Sequence, residues 1–131
     1  MERTEPLVVE TDSIENAVLD AAREWNILPE DVQVRTLEEG KRFLGLFARK
    51  TRVELLPSGD VDLLRAKCIL SGILKQMGMD VGIQLGEEDV LNVTGTDAGI
   101  VIGKYGETLK ALEYILNLVT RDGGQARSIR L

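Results

Sequence analysis

Apolar positions along this chain recur with two different periods, and the switches between them mark its elements. Leu7-Val8-Val9-Glu10 reads as a short strand. Ile14, Ala17, Val18, Ala21, Ala22 and Trp25 then fall at helical spacing. Asp12 followed by Glu15 reads as a capping-box variant opening that helix, and Pro29 closes it. Val32, Val34 and Thr36 alternate with Gln33, Arg35 and Leu37 as in a strand, and Val53 and Leu55 mark a third strand over 51–56. This β-α-β-β order predicts a three-stranded sheet under one helix, with Trp25 the largest contributor to the burial. Between the last two strands, 38–50 reads as a basic loop, with Lys41, Arg42, Arg49 and Lys50 interrupted by Phe43, Leu44, Leu46 and Phe47. Those apolar residues are expected to be partly buried and able to meet a partner.

The second half repeats neither the order nor the spacing. Val61, Leu64, Ala66, Cys68, Ile69, Ile73, Leu74 and Met77 predict a helix over 60–77, with Gly78 as its C-cap. Gly72 inside it costs about 1 kcal/mol relative to alanine, so a close backbone neighbour is expected there. Val81, Ile83 and Leu85 alternate, Glu87-Glu88-Asp89 turns, and 90–94 returns as a second strand. Gly95-Thr96-Asp97 caps a short helix over 98–102. A second helix follows over 107–120, with Leu109, Leu112, Ile115, Leu116 and Val119 on one face. Asp122-Gly123-Gly124 turns, and 126–131 is a final strand. The order is α-β-β-α-α-β.

Pro57-Ser58-Gly59-Asp60 punctuates the chain and suggests two modules, 1–57 and 58–131, in an α+β protein. Across 131 residues there are 16 basic and 22 acidic side chains, a net charge of −6 that excludes a bulk polycation. Histidine is absent, which removes Ser-His-Asp and Cys-His nucleophile chemistry and the commonest zinc sites. The single cysteine, Cys68, fits an inert buried thiol in a reducing compartment. The carboxylates of 87–89 read as a turn rather than a cation site. No constellation supports catalysis and no cofactor is expected, so the chain reads as a non-enzyme. The longest apolar runs are only a few residues and the N-terminus is charged, so neither membrane insertion nor a signal peptide is expected.

One segment carries chemistry: Val101-Ile102-Gly103-Lys104-Tyr105-Gly106-Glu107-Thr108-Leu109. A short apolar helix runs through a G-x-x-G turn into a longer amphipathic helix. Two glycines permit a tight turn and leave no Cβ to hold a ligand away. Unpaired amides at the start of the second helix favour an anion, and Lys104 and Lys110 add formal positive charge.

With α-β-β before it and α-β after it, this motif resembles a type II KH domain over essentially all of 60–131. The first half is similar to the N-terminal domain of the Jag family, the SpoIIIJ-associated proteins also called KhpB or EloR. The resemblance rests on Asp12-Ser13-Ile14-Glu15-Asn16-Ala17, Val32-Gln33-Val34-Arg35 and Glu39-Gly40-Lys41-Arg42-Phe43-Leu44-Gly45. Residues 70–80 and 108–118 resemble helices of the Jag KH domain. The similarity does not extend to the C-terminal R3H domain common in that family, and the sequence stops where that domain would begin.

The resemblance implies a single-stranded RNA-binding protein of the cytoplasm, a post-transcriptional regulator linked to cell-envelope growth or division. A KH G-x-x-G loop clamps the backbone of about four nucleotides. Carried onto this chain, Gly103 and Gly106 would allow close backbone approach, and Lys104 and Lys110 would neutralise phosphates. Ile102 would floor the groove, and Tyr105 at its rim would stack on a base or stand as an ordinary turn residue. The alternative is a protein-interaction module that associates with a second small KH protein and binds RNA weakly. A homo-oligomer is also left open.

Overall fold

Helix α1 (Ile14–Trp25) begins where Ser13 leaves an extended backbone and its hydroxyl oxygen accepts from the Asn16 N–H at 3.3 Å. The cap is therefore Ser13, not the Asp12 of the expected capping box. Thr11 secures the approach, its hydroxyl donating to the Ser13 carbonyl and accepting from the Ser13 N–H. The helix ends on Asn26 in the left-handed conformation. The Asn26 and Ile27 amides donate back to the Arg23 and Ala22 carbonyls, a Schellman closure with asparagine in the usual glycine position. Pro29 comes later and opens a 3-10 turn, Pro29–Asp31. The computed structural model describes residues 5–38, 42–43, 47–48, 51–103, 106–120 and 128–131.

The described residues fall into two compact units, Met1–Val61 and Asp62–Leu131. In the first, β1 (Leu7–Thr11), β2 (Val32–Glu38) and β5 (Thr51–Pro57) form an antiparallel sheet in the order β1-β5-β2. The register Leu7↔Leu55, Val9↔Val53 and Val34↔Leu55 puts the expected apolar residues on one face. Val53 and Leu55 on the central strand are fully buried, along with Ala17, Ala21, Ala22 and Trp25 of α1. Burial fades along the edge strand β2, where Val32 is buried and Val34 exposed. A bulge between Thr36 and Glu38 shifts that pairing by one residue, so that Glu38 lies opposite Arg52.

The segment expected to be an irregular basic loop contains a two-residue ladder, β3 (Arg42–Phe43) with β4 (Phe47–Ala48). The expected contact role of Phe43, Leu44, Leu46 and Phe47 concerns side chains outside the described residues, as are Lys41, Arg49 and Lys50.

In the second unit, α2 (Val61–Gln76) presents Leu63, Ala66, Leu70 and Leu74 to the core. Ile69 and Met77, read as core from spacing, are exposed, and Cys68 is half-buried. An alanine Cβ at Gly72 would meet nothing within 4 Å among the described residues, which supply no close neighbour there. The helix ends as expected on Gly78, with the Gly78 and Met79 amides donating to the Lys75 and Leu74 carbonyls.

Strands β6 (Gly82–Leu85) and β7 (Leu91–Thr94) pair antiparallel. Their turn is closed by the Val90 N–H on the Glu87 carbonyl, with Glu88 and Asp89 both at positive φ. Helices α3 (Ala98–Ile102) and α4 (Glu107–Thr120) follow. The turn at 122–124 lies outside the described residues. The expected last strand is described only over 128–131, where Arg130 pairs parallel with Val90. The Leu91 N–H donates to the Arg130 carbonyl at 2.8 Å, and the Arg130 N–H to the Asp89 carbonyl at 2.9 Å.

Leu70, Leu74, Leu91, Val101, Leu116 and Ile129 join in one core. Each contributes about 1.5–3 kcal/mol by leaving water. The amide of Asn117 fixes the last segment by donating to the Ile129 carbonyl at 2.8 Å and accepting from the Ile129 N–H at 2.7 Å. Among the described residues, no helix is long and apolar enough to cross a membrane.

Candidate functional site

The two helices that meet at the G-x-x-G segment are held from below by their apolar faces. Val101 of α3 is fully buried, as is Leu116 of α4, and both belong to the core of the second unit. Buried Val101 leaves its neighbours Ile100 and Ile102 on the outside, 58% and 48% exposed. Ile102 was expected in the site. Ile100 was missed, although the Ile-Val-Ile run with a buried centre places both outer residues at the surface.

The start of α3 is set by an unexpected contact. Asp97 occupies the N-cap position, but its side chain makes no capping bond. Its carboxylate instead accepts from the Asp80 N–H at 2.6 Å, and its own N–H donates to the Asp80 carbonyl at 3.2 Å. The segment between α2 and β6 is thereby tied to the residue before α3.

Gly103 ends α3 with φ 72° and ψ −177°, a region essentially confined to glycine. A side chain there would collide with Thr108, whose Oγ1 is the nearest atom and whose backbone N would lie 3.1 Å from the added Cβ. Gly103 thus packs directly on the first turn of α4. Gly106 also has positive φ, 71°, but a Cβ there would meet open space. The Gly106 N–H donates to the Gly103 carbonyl at 3.4 Å and closes the turn. Lys104 and Tyr105, between the two glycines, lie outside the described residues.

Beyond the turn, α4 begins with Glu107, Thr108 and Leu109 at the positive end of the helix. Lys110 is exposed one turn in. Glu107, also exposed, is a residue the anion-seat reading left out. Its carboxylate suits the positive end of the helix and competes with any incoming anion. Among the described residues, the arrangement is a glycine turn beside the exposed Ile100 and Ile102, flanked by Lys110. On the outer side of α4, Tyr114, Leu118 and Val119 are 69%, 59% and 55% exposed, and Ile115 is exposed with them. Val119 and Ile115 were expected on the core face, but only Leu112 and Leu116 of that helix are buried.

Comparison with known proteins agrees with this anatomy. The family model described as "KhpA/KhpB, KH domain" matches residues 66–131, and that described as "Jag N-terminus" matches residues 9–56. A protein of Bacillus subtilis (strain 168) named "RNA-binding protein KhpB" is 31% identical over 122 residues, covering 89% of this chain and 59% of the relative. One of the same name from Clostridium symbiosum is 28% identical over 122 residues, covering 86% of this chain and 53% of the relative. The chain therefore spans little more than half the length of these curated relatives. The family is not a known enzyme family. With one model matching half of its residues and the other matching its first unit, the chain belongs to the KhpA/KhpB family, with a Jag N-terminus ahead of its KH domain.

Proposed function

We propose that this chain binds single-stranded RNA through the turn between α3 and α4, as a non-enzymatic post-transcriptional regulator. The observation that carries this reading is the pair of positive-φ glycines, Gly103 and Gly106, closing a turn against the first turn of α4 within a KH domain. Gly103 lets the turn pack on Thr108, and at Gly106, where a Cβ would meet nothing within 4 Å among the described residues, a sugar-phosphate backbone can approach without meeting a side chain. Lys104 and Lys110 supply charge to its phosphates, Ile102 gives an apolar floor, and Tyr105 stacks on a base at the rim. The names of the two relatives support RNA as the ligand class. The cytoplasm is the compartment that suits this function, and cell-envelope growth or division is the process in which we place it.

Fluorescence anisotropy with a short random single-stranded RNA pool tests this reading. Two phosphate contacts predict a slope of about −1.4 in log K against log salt. A Lys104→Asp/Tyr105→Asp variant that keeps its fold loses the binding. Unchanged affinity in that variant overturns the assignment of the turn as the RNA site.

A second reading is favoured by the exposed Tyr114, Ile115, Leu118 and Val119 along α4. An apolar stripe of that kind suits association with a second small KH protein or another copy of this chain. Sedimentation velocity across a concentration series separates the two. Self-association or partner binding with no RNA signal would favour docking, and a monomer that binds RNA would favour the first reading.

A further inference from the structure

The edge of the first sheet borders a groove of about 550 Å³ between β1 and α1. Ala17, Ala21, Val9 and Leu55 are among its apolar lining, and small alanines at two successive helical turns keep it open. Asp12, Asp20 and Glu24 also line it, all exposed, and among the described residues no lysine or arginine does. None of these three carboxylates has an ion-pair partner among the described residues. β1 pairs only with β5, so among the described residues it carries no strand on its outer side. Alternate backbone N–H and C=O groups along it therefore face outward, a template for another extended chain.

We propose that this groove receives an extended basic segment of a partner protein, added as a strand alongside β1. The chemistry of the groove selects the occupant. Lysine or arginine at alternate positions would lay aliphatic stems over the alanines and bring charged heads to Asp12, Asp20 and Glu24. Backbone hydrogen bonds to the edge strand supply affinity, and the carboxylates supply the preference for positive charge. An acidic segment, or the phosphate backbone of a nucleic acid, meets repulsion on the same wall.

The test uses the full chain and a fluorescein-labelled seven-residue peptide alternating lysine and threonine. Anisotropy should report saturable binding that the corresponding glutamate-threonine peptide lacks. Asp20→Lys should weaken it about fivefold, the scale of a reversed exposed ion pair. Glu38→Lys, the same charge change at the end of the opposite edge strand β2, should change it less than twofold. Both positions are exposed, and circular dichroism verifies the fold of each variant; Glu24→Lys serves as a second groove variant. A lysine-threonine peptide methylated on all backbone nitrogens keeps its charge and should lose binding. Absence of binding, equal weakening by Asp20→Lys and Glu38→Lys, or undiminished binding of the methylated peptide would each overturn the proposal.

Discussion

Asp97 holds the Asp80 backbone with both its side chain and its own backbone, the Asp80 amide donating to the Asp97 carboxylate at 2.6 Å and the Asp97 amide to the Asp80 carbonyl at 3.2 Å. This pair sets where α3 begins and hence where Gly103 falls. Asp97→Ala removes a charge-assisted acceptor and should cost about 1–2 kcal/mol in urea unfolding. Asp97→Asn keeps an acceptor oxygen and should lose less than half as much. Equal losses in the two variants would count against the pairing.

The two glycines of the turn should differ sharply on substitution. Gly103→Ala meets both a glycine-only conformation and the first turn of α4, and should destabilise by about 2–3 kcal/mol. Gly106→Ala meets only the conformational penalty, about 1 kcal/mol, and Gly106→Asn should cost less still. Thermal melts of the three variants give the order directly.

Gly72 stands in the middle of α2 with open space where a Cβ would be. Gly72→Ala should therefore stabilise the protein by about 0.5–1 kcal/mol. A loss of stability in chemical denaturation would reveal a close approach at that position.

Glu107 places a negative charge at the head of α4, beside the proposed phosphate seat. Glu107→Gln should tighten single-stranded RNA binding two- to threefold at low salt and lose that advantage at high salt, where exposed charges are screened. Anisotropy titrations at two salt concentrations would show it.

Much of this architecture was legible in the sequence where periodicity is strong. The antiparallel strands around Val53 and Leu55, the β6–β7 hairpin and the Gly78 cap follow from local rules that the fold obeys. The core face of α2 was harder to read because its apolar residues lie on nearly every side. Leu63 and Leu70 are buried while Ile69 and Met77 face solvent, a choice made by tertiary packing. Outward-facing Ile115 and Val119 of α4 follow the same pattern. Asp97 and Asn117 were beyond reach for another reason. Their partners, Asp80 and Ile129, lie 17 and 12 residues away, and no spacing rule links a side chain to a distant backbone. At the proposed site, Gly103, Gly106, Ile102 and Lys110 were named from the motif, whereas Ile100 and Glu107 needed the helix geometry.

The segment 128–131 has a consequence for synthesis. Ile129 completes the core of the second unit, and Arg130 supplies the parallel partner of Val90. A ribosome that has released everything through α4 has therefore delivered a sheet edge and an Asn117 amide with no strand to receive them. The KH unit closes only when residue 131 clears the exit tunnel, whereas the first unit can form about seventy residues earlier. The core that supports the proposed RNA turn between α3 and α4 thus depends on Ile129, which emerges after both helices.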